Sequence, residues 1–520
     1  MTITDKPYKV LIPTAGTGSR LNELTKYLNK SLISIEGKPA ISRIIDMFPK
    51  NSEFVIPLGY KGELVKQFLL LAYPNRKFYF STVEKYEGIG SGLGLTILSA
   101  EKYLQEPFVF CSCDTIIEGS IPFPDKNIAF FAPKSNKNNY RTLDIKGNKV
   151  EEILEKGEAK ESSMPYIGLA CIYDWRIFWL EMHNGSDESV KTGESYALKS
   201  FAKNNMLYAK ETVWFDTGNL EELEKTRNHF KKENSPNILP KPDEAIWFVN
   251  GSVIKYSNNK NFIKERVKRT EFLESYIPKI TASSENMYVY KEEDGIVLSK
   301  IKDIEPFKKL LEYSQNFWKQ DKAPDNFKDI CKKFYYDKTL ERIQKYYNTF
   351  SQSDSETIVN GEFQPKLSEI ISKIEWENIF NALAGRFHGD FHFENILYNE
   401  KNDKFIFLDW RQNFGGLLNI GDIYYDLAKL LHGLIICHEL IAKNCYNVEI
   451  NNNIVKYSFE RKPVLIECEK YYYKWLDEKG YDTKKVKILT ALIYLNIAAL
   501  HHYPYCHLLY YLGKTMLFEN

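Results

Sequence analysis

The sequence predicts an α/β protein in two parts: a doubly wound, mostly parallel sheet in residues 1–230, then an α+β region in residues 244–520. Three observations predict it. Short apolar strands alternate with helical spacing through the first 132 residues, the pattern of a sheet covered on both faces. Residues 229–243 hold three prolines and no periodicity, which reads as a linker over 231–243. From Lys308 onward the periodicity is helical, broken only around residues 386–410. A chain of 520 residues also exceeds what one hydrophobic core usually serves.

Element by element, residues 8–13 read as a short strand, 16–18 as a glycine-rich turn and 38–48 as a helix. Residues 53–58 are a second strand with a helix behind it at 62–72, and strands recur at 77–82, 108–112 and 128–132. In such a sheet the ligand is expected at the carboxyl ends of the strands, where the glycine turn lies. Past the linker, 246–256 reads as a hairpin turning at Asn250-Gly251, and 262–276 as a charged helix.

Charge excludes some functions. Lys and Arg number 70 against 69 Asp and Glu, so no global field favours nucleic acid or an anionic membrane. No apolar run approaches membrane-spanning length, and the first residues lack a basic-then-apolar leader. The eight cysteines are dispersed without Cys-x-x-Cys, and Cys111 and Cys113 are expected to pack in the core. These features point to a reduced, cytoplasmic compartment and small-molecule partners, with oligomerisation left open.

Two constellations carry chemistry. In the first, Ala15-Gly16-Thr17-Gly18-Ser19-Arg20-Leu21 follows the first strand, and Lys30 lies ten residues past the arginine. Backbone amides of residues 15–18 can cradle a triphosphate. Arg20 can pair with its outer phosphates, and Lys30 can neutralise charge growing on the α-phosphate. A second glycine-rich loop, with Gly90 and Gly92, can admit a flat base. Asp114 and Asp216 stand at strand ends as isolated carboxylates suited to Mg²⁺.

With Asn29-Lys30-Ser31, Gly37-Lys38-Pro39, Glu155-Lys156 and Trp214-Phe215-Asp216-Thr217-Gly218 added, residues 7–228 resemble the nucleotidyltransferases that activate sugar phosphates and phosphocholine. The resemblance implies Arg20 and Lys30 for the triphosphate, Lys156 for the acceptor phosphate, and Asp114 with Asp216 for the metal. Asn29 departs from the common proline, and Cys111-Ser112-Cys113 departs from the usual residues before the aspartate.

The second constellation is His388-Gly389-Asp390-Phe391-His392-Phe393-Glu394-Asn395 with Asp409 fourteen positions past the asparagine. Phosphotransferases use this layout: Asp390 accepts the proton of an attacking hydroxyl, while Asn395 and Asp409 hold Mg²⁺. Together with Asn395-Ile396-Leu397, Phe407-Leu408-Asp409 and Gly421-Asp422-Ile423-Tyr424-Tyr425-Asp426-Leu427-Ala428, residues 245–520 resemble the aminoglycoside phosphotransferase and choline kinase group. That likeness implies a two-lobed, protein kinase-like domain. Lys255 looks like the strand lysine that grips nucleotide phosphates, partnered by Glu265 or Glu271, and Asp422 and Asp426 orient the catalytic loop. Trp410-Arg411 departs from the usual aromatic-acidic pair and shifts the expected acceptor from a choline-like cation toward a sugar or polyol.

The expected function is bifunctional. One half phosphorylates a small alcohol with ATP, and the other couples that phosphate to a nucleotide, with CTP favoured over UTP or dTTP, releasing pyrophosphate. By resemblance the product serves capsule or lipopolysaccharide assembly. A nucleotide-sensing pseudokinase and an antibiotic kinase are the competing readings.

Overall fold

The computed structural model describes residues 6–134, 136–231 and 241–520, so most of the expected linker lies outside the described residues. The chain forms two compact units: residues up to Lys260 with Ala282–Val289, and Asn261–Thr281 with Tyr290–Asn520. The division therefore falls later than residue 244.

The first unit is built on a nine-stranded sheet. Its strands are β1 (Lys9–Leu11), β2 (Glu53–Leu58), β3 (Phe78–Thr82), β4 (Phe108–Cys111), β5 (Ile128–Phe131), β6 (Thr142–Lys146), β7 (Lys149–Leu154), β8 (Met164–Ile172) and β9 (Tyr208–Glu211). Their order is β3-β2-β1-β4-β8-β5-β9-β7-β6. The run β3-β2-β1-β4 is parallel, as the strand-helix alternation implies. Beyond it the expectation of a mostly parallel sheet fails. β8 runs antiparallel to β4 and β5, and β7 runs antiparallel to β6 and β9, leaving only β9 parallel to β5. β6 and β7 are joined through Gly147 (φ +64°) and Asn148, and a connection that short can make only antiparallel neighbours.

Successive side chains of β1, β2 and β4 enter opposite layers. Val10, Ile12, Phe54, Ile56, Val109 and Cys111 pack on one face; Leu11, Val55, Phe108 and Phe110 pack on the other. Burial on both faces explains why these strands read as continuous apolar runs. Cys113 lies in the first of these layers with Cys111, as expected.

Residues 244–260 belong to this unit. β10 (Glu244–Val249) and β11 (Ser252–Ser257) form the expected hairpin, with Asn250 (φ +53°) and Gly251 (φ +70°) both left-handed. With β12 (Ile280–Ser283) and β13 (Met287–Lys291) the order is β10-β11-β13-β12. Trp247 is fully buried and meets Phe68 edge-on, 5.1 Å between ring centroids. The Phe248 amide donates to the Gly37 carbonyl at 2.7 Å, and the Tyr256 hydroxyl donates to the Tyr27 carbonyl at 2.7 Å. Aromatic burial and these bonds place the hairpin with the nucleotide-loop unit, a correction to the boundary expected from composition alone.

In the second unit a short antiparallel sheet joins Ile296–Val297, Ile396–Asn399 and Lys404–Phe407. The hairpin 396–407 presents Asn395 before its first strand and Asp409 after its second. Around it pack helices that include Glu305–Phe317, Lys338–Phe350, Ile423–Ile435 and Thr483–Ala498. The charged run forms a helix, Lys260–Leu273, followed by a 3-10 turn, Glu274–Tyr276. Among the described residues no helix is long and apolar enough to cross a membrane.

Candidate active sites

The first site forms where β1 and β4 end. Thr14 extends the β1–β2 ladder, its amide donating to the Pro57 carbonyl at 3.1 Å, and Ala15 is buried behind it. Gly59 has no room for a side chain, because a Cβ there would lie 2.7 Å from the Ala15 carbonyl oxygen. Gly16 opens onto space, and Gly18 (φ +68°) leads into a kinked 3-10 helix, Ser19–Thr25, that carries Arg20. A Cβ on Gly18 would meet Lys30 Cβ at 2.9 Å, so the glycine turn and the lysine pack directly.

Asn29 holds that lysine in place. Its buried Nδ2 donates to the Thr14 carbonyl at 2.9 Å and the Tyr60 carbonyl at 2.7 Å. Its Oδ1 accepts from the Ser31 amide at 2.9 Å and the Ser31 hydroxyl at 2.8 Å. Four bonds from one side chain explain the departure from proline, since proline could supply none of them.

Lys30 Nζ donates to Asp114 Oδ2 at 3.1 Å, while the Ser112 hydroxyl donates to Oδ1 at 2.6 Å. Burial pushes the Asp114 carboxyl up, but Lys30, Ser112 and Arg20 outweigh it and hold it at about 2. Residues Val213–Asp216 pair antiparallel with Thr115–Glu118, with Asp216 opposite Thr115. The Thr217 amide then donates to the Asp114 carbonyl at 3.0 Å. Asp216 Oδ1 accepts from the Gly218 amide at 2.8 Å and Oδ2 from the Tyr140 hydroxyl at 2.9 Å. Burial, then the Asp114 charge, raise the Asp216 pKa.

Asp216 Oδ1, Asp114 Oδ2 and Arg20 Nη2 lie 3.1, 3.3 and 3.5 Å from the point a Gly218 Cβ would occupy. The two carboxylates and the guanidinium thus converge on one place. Lys156 sits at the exposed edge of the same cleft, where partial burial and then Arg20 and Arg141 lower its pKa. Gly90 (φ +81°) lies in an exposed loop. Gly92, expected at the base, has a structural duty too: a Cβ there would collide with the Val190 carbonyl, as one on Gly94 would with Ser189.

The second site surrounds Asp390. Its Oδ1 lies 2.9 Å from Lys429 Nζ, and its Oδ2 lies 3.6 Å from His392 Nε2 and 3.1 Å from Asn395 Nδ2. Burial pushes this carboxyl up, but Lys429 and His392 overcome it and hold it well below the usual carboxylate range. Asp409, held at φ +59°, forms an ion pair with Arg266. Glu265 accepts instead from Asn413 Nδ2 at 2.6 Å, and Glu271 is exposed. Lys255 is buried on β11 opposite Ile246 in the first unit, whereas Asp390, Asn395 and Asp409 belong to the second.

The Asp390 loop is held from behind. Asp426 accepts from the His388 and Gly389 amides, each at 2.6 Å, and from Trp318 Nε1 at 3.1 Å. Asp422 accepts from the Tyr335 hydroxyl at 2.7 Å and the Leu383 amide at 3.0 Å. Arg269, fully buried, donates to the carbonyls of Phe387, His388, Arg411 and Leu418.

Among the described residues no group of three or more His, Cys, Asp or Glu is arranged to hold a metal. Both donor sets nevertheless suit Mg²⁺, which takes one or two protein oxygens and completes its shell with water and phosphate. Asp114 with Asp216 supplies two carboxylates aimed at one point. At the second site the oxygen donors are the Asn395 amide and the Asp409 carboxylate, the latter already matched by Arg266.

Residues 340–442 match the family model described as the phosphotransferase enzyme family. The first unit aligns with the bifunctional protein GlmU of Methanococcus vannielii, 29% identical over 243 residues, covering 44% of this chain and 56% of that protein. A probable glucose-1-phosphate cytidylyltransferase of Bacillus subtilis is 38% identical over 64 residues, 12% of this chain and 25% of that protein. The chain spans about half the length of the GlmU relatives it matches. The CTP:phosphocholine cytidylyltransferase structure from Streptococcus pneumoniae (LicC) is 19% identical over 43% of this chain and 99% of its own, with a TM-score of 0.37.

The chain is thus similar to nucleotidyltransferases over its first unit and matches the phosphotransferase family model within its second.

Sequence reasoning did not single out Asn29 as a positioning residue of the first site. At the second site it passed over Lys429, His392 and Arg269. Lys429 had a usable signal: it stands three residues past Asp426, on the same helical face. Arg269 had none, because its four acceptors are backbone carbonyls more than a hundred residues away.

Proposed function

We propose that the phosphotransferase domain phosphorylates the hydroxyl of a small alcohol, sugar or polyol with ATP, and that the nucleotidyltransferase joins the resulting phosphate to CTP. In the first reaction the substrate oxygen attacks the γ-phosphorus and ADP leaves. Asp390 takes the hydroxyl proton. A carboxylate with so low a pKa accepts that proton late, which suits the loose transition state of phosphoryl transfer. In the second reaction a phosphate oxygen attacks the α-phosphorus and pyrophosphate leaves. Lys30 and Arg20 neutralise the charge that builds on the phosphates, and Lys156 holds the acceptor phosphate.

Mg²⁺, when bound, would be held by Asp114 and Asp216 in one site and by Asn395 and Asp409 in the other, neutralising phosphate charge. Ala15, Gly16, Thr17, Gly18, Gly90 and Gly92 form the nucleotide cradle in this reading. The activated product would feed capsule or lipopolysaccharide assembly in the cytoplasm. In this reading residues 1–230 transfer the nucleotide, and the unit of Asn261–Thr281 with Tyr290–Asn520 carries out phosphorylation.

The observation that carries this reading is the pair of separate constellations in one chain: Asp114, Asp216 and Arg20 around one point, and Asp390 between Lys429, His392 and Asn395. The test offers ATP with candidate alcohols and follows ADP, then offers CTP, UTP and dTTP with candidate phospho-alcohols and sugar 1-phosphates and follows pyrophosphate. CTP is expected to exceed the others. Preference for UTP or dTTP with a sugar 1-phosphate would favour the sugar nucleotide reading, and ATP binding without turnover the pseudokinase.

A further inference from the structure

The phosphotransferase site holds more basic side chains than it has carboxylates to match. Lys338 and Arg342 lie on the Lys338–Phe350 helix, Arg411 follows the Asp409 strand end, and Lys429 lies on the Ile423–Ile435 helix. Lys429 is paired with Asp390. The other three make no ion pair with a carboxylate among the described residues. They are also close together. Lys338 Nζ and Arg411 Cζ stand 4.4 and 4.9 Å from the centroid of the same Phe334 ring. The Arg411 stem presses on Gly389, the residue before Asp390: a Gly389 Cβ would lie 3.0 Å from Arg411 Cδ.

Burial, and then the like charges of Arg411, Arg342 and Lys429, push the Lys338 ammonium down to about 6, so at neutral pH it gives up its proton unless an anion bound beside it restores the charge. Asp409 is matched by Arg266, and the unmatched Lys338 and Arg411 both repel Lys429, the partner of Asp390. Half-buried cations without counterions cost free energy that a neutral polyol could not return, whereas an anion bound among them would. The aminoglycoside-like alternative, a cationic acceptor, is disfavoured by the same field.

We propose that the acceptor of the phosphotransferase domain carries an anionic group of its own, a phosphate or a carboxylate, besides the hydroxyl that Asp390 deprotonates. Lys338, Arg342 and Arg411 bind that anion and set the distance from it to the reacting oxygen. This rests on the phosphotransferase reading above and narrows its substrate class.

The full chain is offered Mg·ATP with matched acceptors: glycerol, glycerate and glycerol 3-phosphate, and glucose with glucose 6-phosphate. ADP release is measured beside calorimetric binding of each acceptor, in the parent and in Lys338→Gln and Arg342→Gln. Anionic members are expected to exceed their neutral partners in kcat/KM by roughly tenfold or more. Each variant should raise KM for the anionic acceptor while KM for ATP holds. Glycerate against glycerol 3-phosphate separates carboxylate from phosphate. Equal or better use of glycerol and glucose overturns the proposal. So does a rise in KM for ATP with the acceptor KM unmoved, which assigns the cations to the nucleotide. Binding of anions that Lys338→Gln abolishes, with no phosphate transferred to any of them, would sink the kinase reading and leave the anion site standing.

Discussion

Asp390 Oδ1 faces Lys429, and Oδ2 faces Asn395 and His392, so the carboxylate is ionised and aimed at once. Asp390→Asn keeps the shape and removes the proton acceptor. Phosphorylation is expected to fall by at least ~10³-fold, read as ADP release, with pyrophosphate release from a supplied phospho-alcohol unchanged. Asp114→Ala should do the reverse, because it leaves Lys30 without its partner and removes one of two convergent carboxylates. Glu194 offers a pH test in the same unit. It is buried, with one carboxylate oxygen lacking a partner, and burial raises its pKa from 4.5 to about 7. A raised folded pKa means that its contribution to stability is intact below about 4.5 and is lost as the pH rises to about 7. Glu194→Gln should therefore match the parent in thermal melting at pH 4.5 and exceed it at pH 8 by roughly 1–3 kcal/mol. Equal melting at both pH values would show that the carboxyl ionises in the fold as freely as in water.

At the scale of elements, the β10–β11 hairpin separates what composition marks from what packing decides. Asn250-Gly251 announced the turn, because few residue pairs tolerate two left-handed positions in sequence. Nothing in the local pattern says which unit receives Trp247. Its burial against Phe68 makes it part of the first core. Trp247→Ala is expected to destabilise the first unit by about 3–5 kcal/mol, measured as loss of the pyrophosphate-releasing activity on heating, with the phosphorylating activity retained to higher temperature. Parallel loss of both activities at one temperature would contradict this assignment. The β6–β7 hairpin was missed because Gly147-Asn148 reverses the favoured Asn-Gly order and sits between polar, half-exposed strands. At Gly92 and Gly94 the Val190 and Ser189 carbonyls leave no room for a side chain, a packing constraint between distant segments that the local pattern does not reveal.

For the whole molecule, two sites in one chain predict complementation. A mixture of the Asp390→Asn and Asp114→Ala proteins, given ATP, CTP and the acceptor alcohol, should form the nucleotide-linked product that neither makes alone. Linkage in one chain raises local concentration without requiring a closed channel, so the mixture should approach the parent rate when protein is abundant. No product from the mixture, with each remaining half-reaction intact, would mean that the intermediate passes only within one chain.

The candidate site residues and the local elements that carry them were determined by sequence alone. The glycine turn, Lys30, Asp114, Asp216 and the Asp390-to-Asp409 layout are short-range patterns, because strand ends, turns and metal donors repeat at fixed spacing. Tertiary structure alone decided that the large sheet is mixed, that residues 244–260 enrich the first core, and that Lys429 and Arg269 serve the Asp390 loop. Those outcomes depend on which distant surfaces fill each other's gaps and which buried carbonyls need a donor. Close packing and hydrogen-bond satisfaction act across space, and the periodicity of a chain records only which face is apolar, not what will cover it.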